Sequence, residues 1–367
     1  MSYNKRIRII FLDMMRALAV LMMVQGHTID TFLADNYRTF DSILFSIWFT
    51  IRGFTAPIFM FTSGVVFTFL LRSHKEPFFE NPRVKKGVKR FVILVLIGYL
   101  LRYPTHTFFD FSIVRPDQWL GFFTVDALHL IGFGLLFILI LSLIAEKLKL
   151  KDYFVFVPGA LFFFGLFSIT ENINWANYMP IPFAAYLYHQ TGSYFPLFPW
   201  AGYVLSGAVL GSYLAHNPVA FNTIKFSSRL MILGIVILLF SRVIVYVEFE
   251  IYNQKVFWMD NLYVITMRLG WIFILNSIMS YLALKLKSIP DFIKQVGRYT
   301  LLVYAVHVVI LYGSAWIPGL SYIFSRRMDI YSSIISAIIM VLLMALMVMG
   351  LERYKLLKKN KFATQEI

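Results

Sequence analysis

Apolar residues in this chain come in long, nearly unbroken runs separated by short polar loops, rather than alternating or marking one helical face. The runs fall near Arg8 to Phe32, Ile43 to Leu71, Gly87 to Tyr103, Phe123 to Ile144 and Tyr153 to Ile169. They continue near Phe195 to Leu214, Leu230 to Tyr246, Leu262 to Leu284, Tyr299 to Trp316 and Tyr331 to Leu351. A helix needs about 20 apolar residues to cross the hydrocarbon of a bilayer. The pattern therefore predicts an all-α, polytopic integral membrane bundle of about ten transmembrane helices. It leaves room for one domain over residues 1–367, with a short tail from about 353.

Composition excludes a soluble domain. Hydrophobic residues make up 59% and charged residues 14%, and the mean hydropathy is +0.71; so few charges cannot cover a water-facing surface. The net charge of +15 is patterned. Short cytoplasmic loops retain Lys and Arg. With the N-terminus inside, the inner segments are Lys5 to Arg8, Arg72 to Arg90, Lys147 to Lys151, Lys225 to Arg229, Lys285 to Arg298 and the tail from Arg353. They hold 24 of the 34 basic residues. Both termini are thus expected in the cytoplasm, and no nucleic-acid motif accompanies the charge. Asp13 and Arg16 lie inside the first run and no cleavage pattern follows it, so it reads as a retained helix rather than a signal peptide. With no cysteine, disulfides, thiolate metal sites and a cysteine nucleophile are excluded.

Ionisable side chains within spans are costly in lipid and are functional candidates by default. Arg16 and His27 are eleven residues apart, which places them about 20° apart around a helix and roughly 16 Å apart along it. Asp13 lies about 60° from Arg16, so one stripe carries all three. Asp13 and Arg16 can equally neutralise each other as an i,i+3 pair near the inner interface, and His27 can be a packed histidine near the outer one. Arg52 is expected at about the depth of His27. Asp126 and His129 open the fourth span from outside, where Asp126 serves a site or only orients His129 and caps the helix. His307 follows Tyr304 by one turn, nearer mid-membrane, and read alone is a hydrogen-bonded core histidine. Arg242 has Glu248 and Glu250 nearby, Arg268 has Asp260, and the Met340 to Met349 stretch faces lipid or fills the core. The run from Asn81 to Arg90 is either the inside-positive signal itself or an anion site for a phosphate-bearing cytosolic ligand.

Leu12-Asp13-Met14-Met15-Arg16-Ala17-Leu18-Ala19-Val20 followed by His27 resembles the first helix of the transmembrane acyltransferases. That superfamily includes acyltransferase 3 proteins and relatives of heparan-α-glucosaminide N-acetyltransferase. The resemblance continues through Ala56 to Gly64, Asp126 to Gly132, Phe198 to Tyr203, and Gly297-Arg298-Tyr299-Thr300 with Tyr304 and His307. It lies closer to the heparan-α-glucosaminide branch with its many bacterial members, which implies a bacterial inner (plasma) membrane. It also implies transfer of an acetyl or short acyl group from cytosolic acetyl-CoA, or another acyl-CoA, to a carbohydrate-like or small-molecule acceptor, without a metal. His27 would be the base, with Arg16 and Asp13 beside it in the catalytic motif. Arg52, Asp126, His129 and His307 would bind substrate, and Lys85, Lys86 and Arg90 the donor. The chain departs from the pattern in having Arg16-Ala17 for the usual Arg-Gly, and no large soluble domain. Two other readings stand beside this one: a proton-coupled secondary transporter using the Asp13, Arg16 and His27 stripe, and a non-catalytic membrane subunit. The oligomeric state, including a homo-oligomer, is left open.

Overall fold

The computed structural model describes residues 9–252, 261–286 and 289–363. Lys5, Arg6, Arg8 and Asp260 lie outside the described residues, as does the side chain of Glu248. Thirteen helices of eight or more residues occur among the described residues. The first two are α1 (Ile10–Phe32) and α2 (Ile43–Arg52). Eight follow: α3 (Thr55–Arg72), α4 (Pro82–Leu101), α5 (Pro116–Phe123), α6 (Ala127–Lys147), α7 (Tyr153–Gly165), α8 (Leu197–His216), α9 (Ile224–Tyr252) and α10 (Leu262–Lys285). The last three are α11 (Asp291–Arg298), α12 (Thr300–Tyr312) and α13 (Ile330–Ala363). Each of the ten apolar stretches contains a helix. Among the described residues eight helices, taking Ile43–Arg72 as one, are long and apolar enough to cross a membrane, and the pair α11 and α12 makes a ninth. The remaining stretch, Gly87 to Tyr103, lies up to Leu101 on α4, whose first turns carry Arg83, Lys85, Lys86, Lys89 and Arg90.

Three predicted spans are interrupted, for local reasons. The second breaks at Gly53 and Phe54, where Pro57 has no N–H to give to the Gly53 carbonyl. The fifth contains Pro158 and ends its regular part at Gly165. The ninth is cut short at both ends: it turns by 78° from α11, which precedes the predicted run, and α12 has only 13 residues, stopping where Gly313 adopts φ 82°. At a rise of 1.5 Å per residue it is about 20 Å long.

The described residues form two compact units, one from Ala56 to Tyr281 and the other from the segments on either side. In the latter, α1 packs against α11, α12 and α13. Ser333, Ala337, Met340, Met344 and Val348 form a buried stripe on α13, whereas Ile334, Ile335, Ile338, Ile339 and Leu342 on its other side are exposed. Met340 and Met344 therefore fill the core, and the exposed isoleucines and leucine make a lipid-compatible face. At one end of this unit the Ala34 N–H donates to the Met328 carbonyl (2.9 Å), and the Arg326 N–H to that of Thr31 (2.9 Å). At the other end Arg16 reaches Thr300 (3.2 Å), and Arg298 (3.0 Å) and the Tyr299 hydroxyl (2.7 Å) reach Glu352.

The central unit is organised around α8, which packs on α6 and α7. Its run Gly207-Ala208-Val209-Leu210-Gly211 crosses α3 at backbone contact. A Cβ on Gly207 would collide with the Phe61 carbonyl, one on Gly211 with that of Val65, and one on Gly64 with that of Val204. Small residues four apart permit this approach in membrane helices, where close packing replaces the hydrophobic effect. Beside it, the Ser277 hydroxyl of α10 donates to the Ser227 carbonyl of α9 (2.6 Å). One end of the unit is clamped by Arg72, which gives a forked pair of bonds to Asp152 (2.8 and 2.6 Å), and by Ser212, which bonds the same carboxylate (2.5 Å). At the other, the Tyr194 N–H donates to the Val125 carbonyl (3.1 Å) and the Tyr99 and Tyr186 hydroxyls meet (3.0 Å). In both units, helix ends expected on the same side of the membrane meet one another.

Candidate functional site

The first cluster belongs to the unit formed by α1, α2 and α11 to α13. His27, half-buried on α1, places its Nδ1 3.1 Å from Nε2 of His307, which is fully buried on α12. The two rings meet edge to edge, with centroids 5.3 Å apart and planes only 24° apart, and the Tyr312 ring stands edge-on to His27 at 6.0 Å. His307 in turn lies 2.7 Å from the Val303 carbonyl through Nδ1. Arg52, the last residue of α2, packs its side chain against Gly26, the residue before His27 on α1, with Cγ 3.5 Å from where a Cβ on Gly26 would stand. Its guanidinium is fixed by Asp30 at 2.8 Å and lies over the Trp48 ring at 5.5 Å. Asp30 also accepts from Arg38 (3.1 Å), and the Trp48 indole N–H donates to Gln25 (3.2 Å).

This geometry follows from helical spacing. Gln25, His27 and Asp30 lie within two turns of α1, with Asp30 three residues after His27, so both reach toward the same neighbourhood. Arg16 and Asp13 do not join them. Arg16 lies roughly 16 Å and Asp13 roughly 21 Å down α1 from His27 by helical rise, and both meet the bend between α11 and α12. There the Arg16 guanidinium donates to Thr300, and Gly297 packs against the Asp13 backbone carbonyl. The Gly297-Arg298-Tyr299-Thr300 motif thus receives the first-helix motif across 284 positions of sequence.

The second cluster belongs to the central unit. Asp126 caps α6: its Oδ1 accepts from the Leu128 N–H (2.9 Å) and lies 3.0 Å from His129 Nδ1, while Arg102 Nε lies 3.6 Å from its other oxygen. Asp126 therefore both caps the helix and orients the histidine. The His129 ring is fully buried and packs on Tyr99 at 4.4 Å. Its Nε2 has no hydrogen-bonding partner among the described residues. Gly98 makes room for the ring: a Cβ there would lie 2.5 Å from Cε1 and 2.7 Å from Nε2. Backbone, rather than an open site, thus covers the bare nitrogen.

Lys85, Lys86 and Arg90 are exposed on the first turns of α4. Asn81 caps that helix through the Arg83 N–H (2.9 Å) and ties it to the Leu71 carbonyl (3.0 Å). A cleft of about 440 Å³ lined by Tyr213, Asn217, Thr223, Lys225, Phe226 and Arg229 contains none of the predicted site residues. Arg242 contacts Tyr263 (3.4 Å), and Arg268 lies over Trp200 at 5.7 Å.

Sequence reading passed over Asp30, Arg102, Tyr99 and Tyr186. Asp30 carried a usable signal, an acid one turn after a candidate histidine. Arg102 stands at the end of an apolar run, where a basic residue carries no special signal, and neither tyrosine stands out among 21.

No curated protein matched this chain in a sequence comparison. The family model described as heparan-alpha-glucosaminide N-acetyltransferase, catalytic, matches residues 8–247, a span that includes α1, His27, Arg52 and the Asp126–His129 pair and ends before His307. The chain therefore belongs to the heparan-α-glucosaminide N-acetyltransferase catalytic family of multi-pass membrane proteins.

Proposed function

We propose that the protein transfers an acetyl group from acetyl-CoA to an amine or hydroxyl of a carbohydrate-like acceptor, with His27 as general base. The observation that carries this reading is the half-buried His27 imidazole beside a guanidinium that Asp30 holds in place, in a chain of an N-acetyltransferase family. In the reaction, a bare nitrogen of His27 takes the proton of the acceptor N–H or O–H while the acceptor heteroatom bonds to the thioester carbonyl carbon. Arg52 is assigned to the developing oxyanion, a role worth about several kcal/mol in a site poor in water. As the C–S bond breaks, the proton passes from His27 to the leaving CoA sulfur, so the base is regenerated. Asp30 keeps Arg52 oriented. Arg16 and Asp13 brace the bend before α12 and thereby place that helix against α1.

For the donor we propose the start of α4. Cations in a first helical turn oppose the macrodipole, at a cost of about 0.3–1 kcal/mol each. Arg83, Lys85 and Lys86 there, with Lys89 and Arg90 a turn later, are relieved by an anion such as the phosphates of acetyl-CoA. On this reading the donor arrives from the cytoplasmic side of a bacterial plasma membrane.

The test is acetyl-CoA binding and acetyl transfer by detergent-solubilised protein. Wild type binds acetyl-CoA saturably, the Lys85→Ala, Lys86→Ala, Arg90→Ala triple variant binds more weakly, and His27→Ala binds normally but turns over at least about 100-fold more slowly. Folded wild type that binds no acyl-CoA would remove the donor and move the weight to proton-coupled transport.

A further inference from the structure

We infer that His307 is a positioning residue that fixes the tautomer of His27, leaving Nε2 of His27 as the atom that takes the proton. The inference rests on His27 being the base, as proposed above, and adds which nitrogen acts and what selects it.

The argument is a count of hydrogens along three groups. A carbonyl oxygen only accepts, so the 2.7 Å contact between His307 Nδ1 and the Val303 carbonyl requires a hydrogen on Nδ1. His307 is fully buried, and the groups hydrogen-bonded to it are that carbonyl and another imidazole. Burying an imidazolium among such neighbours is far costlier than burying the neutral ring. His307 therefore carries one hydrogen, and its Nε2 presents a lone pair. His27 Nδ1 lies 3.1 Å from that lone pair. Two lone pairs do not face each other at this distance, so His27 Nδ1 is the donor. A neutral imidazole has a single N–H, which leaves His27 Nε2 bare.

A free histidine side chain prefers its hydrogen on Nε2, so without His307 the form unable to accept at Nε2 would predominate. The relay resembles the orientation of a catalytic histidine by a carboxylate, with one difference that affects turnover. The orienting group is neutral, so it holds the tautomer without adding an anion that would trap the imidazolium. Once Nε2 has taken the proton, Nδ1–H still donates to His307, and the Nε2 proton is free to go to the leaving sulfur.

Nitrogen NMR tests this directly, since a protonated and a bare ring nitrogen resonate far apart. Protein labelled with 15N-histidine has seven histidines, and His27→Asn identifies the His27 signals by difference. In wild type the His27 Nδ1 is protonated and Nε2 bare. In His307→Leu the His27 signals move toward the opposite tautomer, and kcat for acetyl transfer falls on the order of 100-fold while KM for acetyl-CoA is unchanged. His307→Gln, whose side-chain oxygen can accept from Nδ1, restores both the tautomer and most of the rate. Wild-type His27 protonated on Nε2, or a His27 spectrum unmoved in His307→Leu, would overturn the relay. The wild-type spectrum needs no turnover, so an inactive wild-type enzyme with Nδ1–H at His27 would end the acyltransferase reading and leave the relay standing.

Discussion

Asp30 binds two guanidiniums at once, Arg52 at 2.8 Å and Arg38 at 3.1 Å, with its side chain 28% exposed. A partly solvated pair of this kind contributes only about 0–1 kcal/mol to stability. Its importance at this position is orientation: the carboxylate holds the Arg52 fork over Trp48 and near His27. Asp30→Asn is therefore expected to leave the melting temperature nearly unchanged while lowering kcat about tenfold or more, which parallel thermal unfolding and acetyl-transfer assays would show. Arg52→Lys keeps the charge but loses the planar fork, and is expected to behave like Asp30→Asn rather than like wild type. An equal loss of stability and rate in either variant would make the pair a structural brace. The sequence marked the costly charges, because an ion inside an apolar run stands out, but could not name their partners. His27 and His307 are 280 residues apart, and no local spacing rule relates them.

At the scale of helices, the crossing of α3 and α8 is where packing is least forgiving. Gly207 faces the Phe61 carbonyl with no space for a methyl group, whereas Gly350 on α13 has nothing within 4 Å of the same position among the described residues. Gly207→Ala is expected to destabilise the protein by about 1–3 kcal/mol as the two backbones are forced apart. Gly350→Ala, which removes only backbone freedom in a helix, is expected to be neutral or stabilising by up to about 1 kcal/mol. Thermal unfolding of the two variants in one detergent checks the contrast, and equal effects would contradict the close crossing. The helices themselves were legible from hydropathy, since each of ten apolar stretches holds one. Their interruptions at Gly53, Gly165 and the 78° bend before α12 were not. Hydropathy counts apolar atoms and is blind to a missing N–H or a residue with φ 82°. The choice of neighbours was hidden too, because one apolar surface resembles another until glycines decide which backbones can touch.

For the whole molecule, the distribution of basic residues and the meeting of helix ends give independent constraints on topology. In one unit Arg16, Thr300, Arg298 and Glu352 gather at one end, and Asp35 and Arg326 (3.0 Å) at the other. In the other unit Arg72, Asp152 and Ser212 gather at one end, and Tyr99, Val125, Tyr186 and Tyr194 at the other. Each grouping joins residues that the basic-loop rule puts on one side, so an error in the number of crossings between them would have placed partners on opposite faces. The constraint fixes relative sides and leaves the absolute direction to the charges, which favour Lys147 inside and Ser112 outside. Because the chain contains no cysteine, single substitutions can report this directly. Ser112→Cys, at an exposed position before α5, is expected to react with a membrane-impermeant maleimide added to intact cells. Lys147→Cys, exposed at the end of α6, is expected to react only after permeabilisation. The reverse pattern would invert the protein and put the basic start of α4 outside, where cytosolic acetyl-CoA could not reach it. Labelling of both from one side would break the alternation of spans between α5 and the end of α6, since a single crossing by α6 separates the two positions.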